Sequence, residues 1–222
     1  MSSAHPSGDP SRGASGAGEG QGPLPDLGLD LSLVSVLRMR GAPLLGALEA
    51  HYPGARERAE AAAAYAFAAA VELGLDRGNA EIIREVTKLH DVGRVYVPAE
   101  ILAKPERDRT RDETALVATH FEKGAQLAAG AGLPAEACEW IRLGAERWDG
   151  GGPNRLAGEA IPLPARVARV ADACHAALVE AGAHPGAPRS AERELQGAAG
   201  RELDPHVVAA LIGVLARIDT EG

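Results

Sequence analysis

Large apolar residues recur along this chain at intervals of three and four positions, the spacing that places side chains on one face of an α-helix. The clearest run consists of Ile82, Ile83, Val86 and Leu89. A similar run follows position 205 and consists of Val207, Val208, Leu211 and Leu215. No long stretch alternates apolar and polar residues, as a half-buried strand does. The pattern predicts an all-α fold, a bundle of about six to eight helices.

Start and stop signals place these helices along the chain. The periodic runs predict helices at 55–75, 79–89, 110–129, 134–147, 164–178 and 205–218. Thr110 and Glu113 have the spacing of a capping box, and Gly74 stands near the C-terminal end of the first of these helices. Residues 95–103 predict a loop that ends in a short helix. Residues 182–190, rich in Gly, Pro and His, predict a turn region.

Composition divides the chain into three parts. Residues 1–26 are mainly Gly, Ser, Pro and Ala, with too few large apolar groups to fold, and are predicted to be a disordered leader. Residues 27–53 are richer in leucine and predict one or two short helices packed on the main body. Residues 54–218 are predicted to form one domain, which suits a chain of 222 residues. Aromatic residues make up only 3% of the chain, so small side chains are expected to let the helices approach closely.

The charge and the hydropathy of the chain exclude several classes of partner. The formal net charge is −8, and no run of Lys or Arg is longer than two residues, so DNA and RNA are not expected as general partners. The N-terminus lacks a basic region followed by an apolar one, and no apolar run approaches membrane-spanning length. The protein is therefore predicted to be cytoplasmic and without a membrane contact.

The dipeptide His90-Asp91, at the end of the predicted helix 79–89, is the first candidate for chemistry. Adjacent imidazole and carboxylate groups suit a divalent metal ion. His120 shares a face with apolar residues of the predicted helix 110–129 and is expected to point inward. Without a metal, His90 and Asp91 would form a helix-end hydrogen-bonding pair and His120 would be a core histidine, and both alternatives stay open.

Six motifs in order carry a resemblance to a known family. They are Leu89–Val95, Val97–Leu102, Thr119–Gly124, Glu146–Gly150, Ile161–Val167 and Val170–Asp172. This series resembles the HD-GYP branch of the HD metal-dependent phosphohydrolases, bacterial proteins whose active members hydrolyse cyclic di-GMP. The resemblance covers roughly residues 54–216 and implies the HD-domain helical bundle as the fold.

The resemblance also implies roles for particular residues. It implies metal ligation by His90, Asp91, His120 and Asp172, a set suited to iron, manganese or zinc. It implies catalytic roles for Asp91 and Arg94. It implies nucleotide binding by Arg94, Arg147, Asp149, Gly150 and Gly152. Arg147 and Asp149 have an alternative role, which is to tie the glycine-rich loop to a neighbouring helix.

The chain departs from the family pattern at two ligand sites. The first histidine of the family falls on Arg58, and two adjacent histidines are replaced by Gly144 and Ala145. A guanidinium has no lone pair to offer a metal, and neither glycine nor alanine has a donor. Arg58 is expected to pair with Asp91 or Asp172 and to fill the vacated position, because a buried charge needs a partner. His51 stays open as a substitute ligand, and so does a site without any bound metal.

Three functions follow from this mixture of kept and lost residues. The first is a degenerate HD-GYP-like domain that acts as a regulatory or scaffolding module in bacterial cyclic-dinucleotide-type signalling. The second is an active phosphohydrolase with a reduced metal site, acting on cyclic di-GMP or another phosphate ester. The third is a pocket that retains cyclic di-GMP through Arg94, Arg147 and the glycine-rich loop. The partner is expected to be cyclic di-GMP or a signalling protein, and the oligomeric state is left open.

Overall fold

A computed structural model describes residues 30–182 and 186–221 of the chain. Within these residues the regular structure is helical, and the extended pairings are two isolated bridges, Asp149 with Ala157 and Ala199 with Leu203. The prediction of an all-α fold is therefore confirmed. The predicted disordered leader, residues 1–26, lies outside the described residues.

Ten α-helices occur in the described part of the chain. They are α1 (Ser32–His51), α2 (Ala55–Glu72), α3 (Arg77–Leu89), α4 (Ala99–Leu102), α5 (Arg111–Ala118), α6 (His120–Gly130), α7 (Ala135–Arg142), α8 (Leu163–Ala181), α9 (Ala187–Ala198) and α10 (Pro205–Glu221). Short 3-10 turns at Val92–Tyr96, Glu106–Asp108, Leu143–Ala145 and Gly158–Ala160 join some of them. Seven of the ten helices have eleven residues or more, which agrees with the predicted bundle of six to eight.

The predicted helix 110–129 is in fact two helices, α5 and α6, which meet at Thr119. The capping box that starts α5 is present, with Glu113 N–H donating to Thr110 Oγ1 at 3.2 Å. The break has a local cause, because two side chains donate to carbonyls of the preceding turn. The Thr119 hydroxyl donates to the Leu116 carbonyl at 2.7 Å, and His120 Nδ1 lies 2.6 Å from the Val117 carbonyl. These contacts turn the chain and start α6 at His120.

Three other boundaries differ from the prediction. Residues 32–51 form one continuous helix, α1, with Pro43 inside it. The helix predicted at 134–147 ends at Arg142 and tightens into a 3-10 turn, since Gly144 is a poor helix former. Helix α9 was not predicted at all. It buries only Ala187, Ala191 and Leu195, and alanines give a weak apolar signal.

The buried side chains form two main clusters that share α3. One, the α2–α8–α10 cluster, contains Ala66, Ala70, Val170, Val208 and Leu211 among others. The other, the α1–α3–α7 cluster, contains Leu37, Ile82, Val86, Leu89 and Ile141 among others. Ile83 belongs to the first cluster and Ile82 to the second, so α3 presents neighbouring side chains to both. Four fully buried alanines of α2 let it pack closely on α3 and α8, as the composition predicts.

Candidate metal centre

Two helix ends and the middle of a third helix bring the predicted ligands together. His90 is the C-terminal cap of α3, and Asp91 precedes the 3-10 turn Val92–Tyr96. His120 is the first residue of α6, and Asp172 lies in the middle of α8. The 3-10 turn contacts α6 through Gly93, where an added Cβ would lie 1.9 Å from the His120 carbonyl oxygen. Only glycine permits this backbone contact, which brings Asp91 and His120 together.

The four predicted ligands converge on Asp91. Asp91 Oδ1 lies 3.1 Å from His120 Nε2 and 3.4 Å from His90 Nε2. Asp172 Oδ1 lies 3.5 Å from His90 Nε2. Ligand atoms of His90, Asp91 and Asp172 all lie within 4.8 Å of one another. His120 joins this group through Asp91.

Both histidine rings are oriented by backbone carbonyls. His90 Nδ1 lies 2.5 Å from the Thr87 carbonyl oxygen, and His120 Nδ1 lies 2.6 Å from that of Val117. Because a carbonyl oxygen only accepts, Nδ1 carries the proton and donates in each pair. The other nitrogen, Nε2, is then directed at Asp91. This arrangement is the usual support of a histidine that ligates a metal.

Burial and charge give the centre its electrostatic character. The side chains of His90, Asp91 and His120 are 7%, 10% and 4% exposed, whereas that of Asp172 is 31% exposed. Burial lowers the pKa of His90, but Asp91 and Asp172 outweigh burial and raise this pKa to about 9. Burial raises the pKa of Asp91, and Arg94 together with the two histidines lowers it well below the ordinary value. The centre is therefore a carboxylate-rich site that favours positive charge.

Unsatisfied atoms test whether these residues fit a metal ion. His90 Nε2, His120 Nε2, Asp91 Oδ1 and Arg94 Nε are buried and have no well-directed hydrogen bond among the described residues, although Oδ1 lies within ion-pair distance of the other three. Buried polar atoms without a hydrogen bond are rare, and the three possible ligand atoms of this group converge on one point, as in a cation site. His90, Asp91 and Asp172, with His120 beside them, thus fit one divalent ion.

Other side chains occupy the region of Gly144, where the resemblance places two adjacent histidines in other members of the family. An added Cβ at Gly144 would lie 2.6 Å from the Phe121 ring, which stacks on His120 with 3.9 Å between ring centroids. Arg169 donates from Nη1 to the Gly144 carbonyl at 3.2 Å and has no carboxylate within ion-pair distance in the described residues. The cavity left beside His90, Asp172 and Arg169 measures about 30 Å³, roughly the volume of one water.

Arg58 does not make the ion pair that the sequence predicts. In the described residues the arginine beside Asp91 is Arg94, whose Nε lies 2.8 Å from Oδ1. Arg94 follows Asp91 by three residues and reaches the carboxylate from the next turn, whereas Arg58 lines a separate cleft. His51 is also placed away from the ligand role, because its Nε2 lies 2.7 Å from the Val97 carbonyl oxygen.

The glycine-rich loop is held by its own residues. The Arg147 guanidinium pairs with Asp149 at 2.7 Å and with Glu202 at 3.3 Å, and Gly151 N–H donates to Asp149 Oδ1. Asp149 N–H donates to the Arg201 carbonyl at 2.9 Å. Gly150 has a φ of +79°, which favours glycine. These contacts tie the loop to the segment between α9 and α10 rather than to a helix, and nucleotide binding by this loop stays a prediction.

Glu146 was not singled out by the sequence, yet it organises the same loop. Its carboxylate is buried and accepts from Asn154 N–H and Nδ2 at 2.8 Å each and from Leu156 N–H at 3.1 Å. An added Cβ at Gly152 would lie 2.6 Å from its Oε2, so glycine is needed there. A single sequence does not show that the glutamate of this motif binds a loop, so the role of Glu146 could not be predicted.

Glu146→Gln is expected to lower the free energy of unfolding by about 1–3 kcal/mol, because an amide replaces an acceptor of three hydrogen bonds with one acceptor and one donor. Urea denaturation followed by circular dichroism measures the change. Glu194→Gln, at an exposed position in α9, is the matched control and should stay within about 0.5 kcal/mol. Equal stability of the two variants would contradict the role given to Glu146.

Comparisons with known proteins agree with this architecture. Residues 44–207 match the family described as HD domain. The chain therefore belongs to the HD domain family, and it is HD-GYP-like, as the resemblance predicts. It is 35% identical over 160 residues to the cyclic di-GMP phosphodiesterase response regulator RpfG of Xanthomonas campestris, matching 68% of this chain and 40% of that protein. It is 33% identical over 143 residues to 3'3'-cGAMP-specific phosphodiesterase 2 of Vibrio cholerae, matching 63% of this chain and 27% of that protein. The chain thus spans less than half the length of these two relatives.

Solved structures show the same fold. A protein of Bdellovibrio bacteriovorus described as HDG"Y"P superposes with a TM-score of 0.62 and 18% identity, covering 83% of this chain and 61% of that one. The HD domain of PgpH from L. monocytogenes, in complex with cyclic-di-AMP, superposes with a TM-score of 0.57 and 14% identity, covering 79% and 96%. In the part of the chain that the structure describes, no helix has the length and apolar character needed to cross a membrane.

Proposed function

We propose that this chain is an HD-GYP-like domain with a reduced metal centre that holds one divalent ion, and that it acts as a regulatory module in cyclic-dinucleotide-type signalling. The observation that carries the proposal is the contrast between two neighbouring regions. Ligand atoms of His90, Asp91 and Asp172 lie together with His120 beside Asp91, whereas Phe121 and Arg169 lie against Gly144. The relatives named as cyclic dinucleotide phosphodiesterases supply the ligand class.

The chemistry of phosphodiester hydrolysis explains why one ion favours regulation. A two-metal site holds both the attacking and the leaving oxygen of an in-line displacement, and a single bound ion supplies only one Lewis acid. In this chain His90, Asp91 and Asp172 would hold that ion, and His120 would support Asp91. Arg94 is already paired with Asp91, so the positive charge of its guanidinium offsets the negative charge of that carboxylate. The Arg169 cation beside Asp172 opposes a second cation by repulsion.

Metal content tests the proposal directly. Protein purified under anoxic conditions is expected to contain about one iron or manganese per chain, since the donor set provides for one ion. His90→Ala should lose this metal, and the exposed His206→Ala is the matched control that should keep it. Elemental analysis measures the content, and circular dichroism shows that the variants are folded.

Hydrolysis provides the second measurement. The protein incubated with manganese and cyclic di-GMP is expected to give no product above the level of His90→Ala. Two ions per chain, with hydrolysis that disappears in His90→Ala, would reject the regulatory role and favour the working phosphohydrolase. Absence of any bound ion would reject the assignment of His90, Asp91 and Asp172 as a metal site.

A further inference from the structure

A large open cleft lies beside the metal centre. It measures about 780 Å³ and lies between α2, the 3-10 turn Glu106–Asp108 and the C-terminal half of α8. His175 in its wall follows the ligand Asp172 by three residues and therefore lies on the same face of α8. Asp172 is also the ligand that solvent reaches, with 31% of its side chain exposed.

Arg58 in the wall of this cleft forms no ion pair with a carboxylate of the described residues. No carboxylate lies within ion-pair distance of its guanidinium in the described residues, although the chain carries a net charge of −8. Arg58 is partly buried, and its charge is felt by the neighbouring His175: burial first, and then Arg58, lowers the pKa of that imidazole. A guanidinium that is partly desolvated and unpaired is prepared to bind an anion, and it suits phosphate because it can donate two parallel hydrogen bonds.

The remaining walls provide the other contacts that a nucleotide needs. Val179 is 66% exposed although it is apolar, and with Ala176 and Pro105 it offers an apolar surface to a base. Arg107 and Glu180 form an ion pair at 3.6 Å with side chains 75% and 73% exposed. An exposed pair of this kind contributes little to stability and can exchange partners, so Glu180 is available to a base N–H and Arg107 to a second phosphate oxygen.

We propose that this cleft binds a nucleotide phosphate ester, with Arg58 holding the phosphate and the Val179 side of α8 contacting the base. The cleft volume falls in the range of about 300–1,000 Å³ typical of small-molecule sites. This inference deepens the proposed function, on which it rests in one respect, namely that the bound ester is retained rather than hydrolysed. Arg58 stands where the resemblance places a metal-binding histidine. It would therefore contact the nucleotide phosphate directly, without a metal ion between them.

Isothermal titration calorimetry in the presence of EDTA tests the site without any metal contribution. The probes are cyclic di-GMP, GMP and inorganic phosphate, each titrated into the full chain. Cyclic di-GMP and GMP are expected to bind, and phosphate alone is expected to bind at least about tenfold more weakly because it lacks the base contact. Arg58→Ala should weaken nucleotide binding about tenfold or more, and Arg58→Lys should weaken it less.

Two further variants keep the result interpretable. Arg56→Ala is the matched control, since Arg56 lies on α2 two residues earlier and its guanidinium approaches Gly46 of α1. Its binding should equal that of the wild type. Val179→Glu places a negative charge at an exposed position of the cleft, leaves the core unchanged and should also weaken binding.

The outcomes separate the two proposals. Wild-type affinity in Arg58→Ala and Val179→Glu, or no binding of any nucleotide by the wild type, would overturn the cleft assignment and leave the metal centre untouched. Binding that depends on Arg58 but is followed by hydrolysis when manganese is added would support the cleft and overturn the regulatory role. Chromatography of the nucleotide after incubation with manganese distinguishes these cases.

Discussion

Gly93→Ala is expected to lower the free energy of unfolding by about 3–5 kcal/mol, or to prevent folding, because the new methyl group has no space. Its Cβ would lie 1.9 Å from the His120 carbonyl oxygen and 2.5 Å from the Gly124 amide nitrogen. Both contacts are with backbone atoms, so no side chain can rotate away. The turn that carries Asp91 and the helix that begins at His120 must separate.

Thermal and urea unfolding followed by circular dichroism measure this effect, and elemental analysis of any folded fraction measures the metal. The matched control is Gly130→Ala at the end of α6, where an added Cβ meets nothing within 4 Å. Its stability should change by no more than about 1 kcal/mol and can rise, since alanine favours a helix over glycine. A Gly93→Ala protein as stable as Gly130→Ala, with its metal retained, would refute the close contact between this turn and α6.

Gly144→His is expected to be the second most damaging change, at about 2–3 kcal/mol of unfolding free energy, although it places a histidine where the resemblance expects one. The Cβ alone would lie 2.6 Å and 2.8 Å from two atoms of the Phe121 ring. The φ of Gly144 is not in the left-handed region, so the penalty is steric and does not arise from the backbone. Phe121 must leave its place beside His120 before an imidazole can enter.

The double variant Gly144→His with Phe121→Ala separates crowding from other effects. Each single change should destabilise the protein, and the double variant should be more stable than the sum of the two predicts, by about 1 kcal/mol or more. Urea denaturation of all four proteins gives this coupling energy. Strict additivity at Gly144 and Phe121 would show that the ring does not fill the lost ligand position.

The sequence predicted most of the long helices, and its errors have local causes. The periodic apolar runs were sufficient to predict α3 and α10, and the capping box at Thr110 was sufficient to predict the start of α5. The division at Thr119 was missed because the apolar pattern continues through it, while two side-chain donors redirect the backbone. Helix α9 was missed because its buried face is made mainly of alanine, which periodicity barely detects.

The sequence motifs were sufficient to predict which residues form the candidate metal centre. His90, Asp91, His120 and Asp172 are brought together, since motif order carries the resemblance to a family whose fold positions them. The surroundings of Arg58 and Gly144 were not predictable. The pairing expected of Arg58 is made by Arg94, and the roles of Phe121 and Arg169 depend on contacts across helices, which a single sequence does not contain.

The two buried clusters give the metal centre a mechanical consequence. His90 and Asp91 directly follow Leu89 of the α1–α3–α7 cluster, whereas Asp172 lies between Ala171 and Cys174, which belong to the α2–α8–α10 cluster. An ion held by these three residues is bonded to both halves of the bundle and opposes their separation. Such an ion acts as a cross-link, and the two halves then unfold together rather than one after the other.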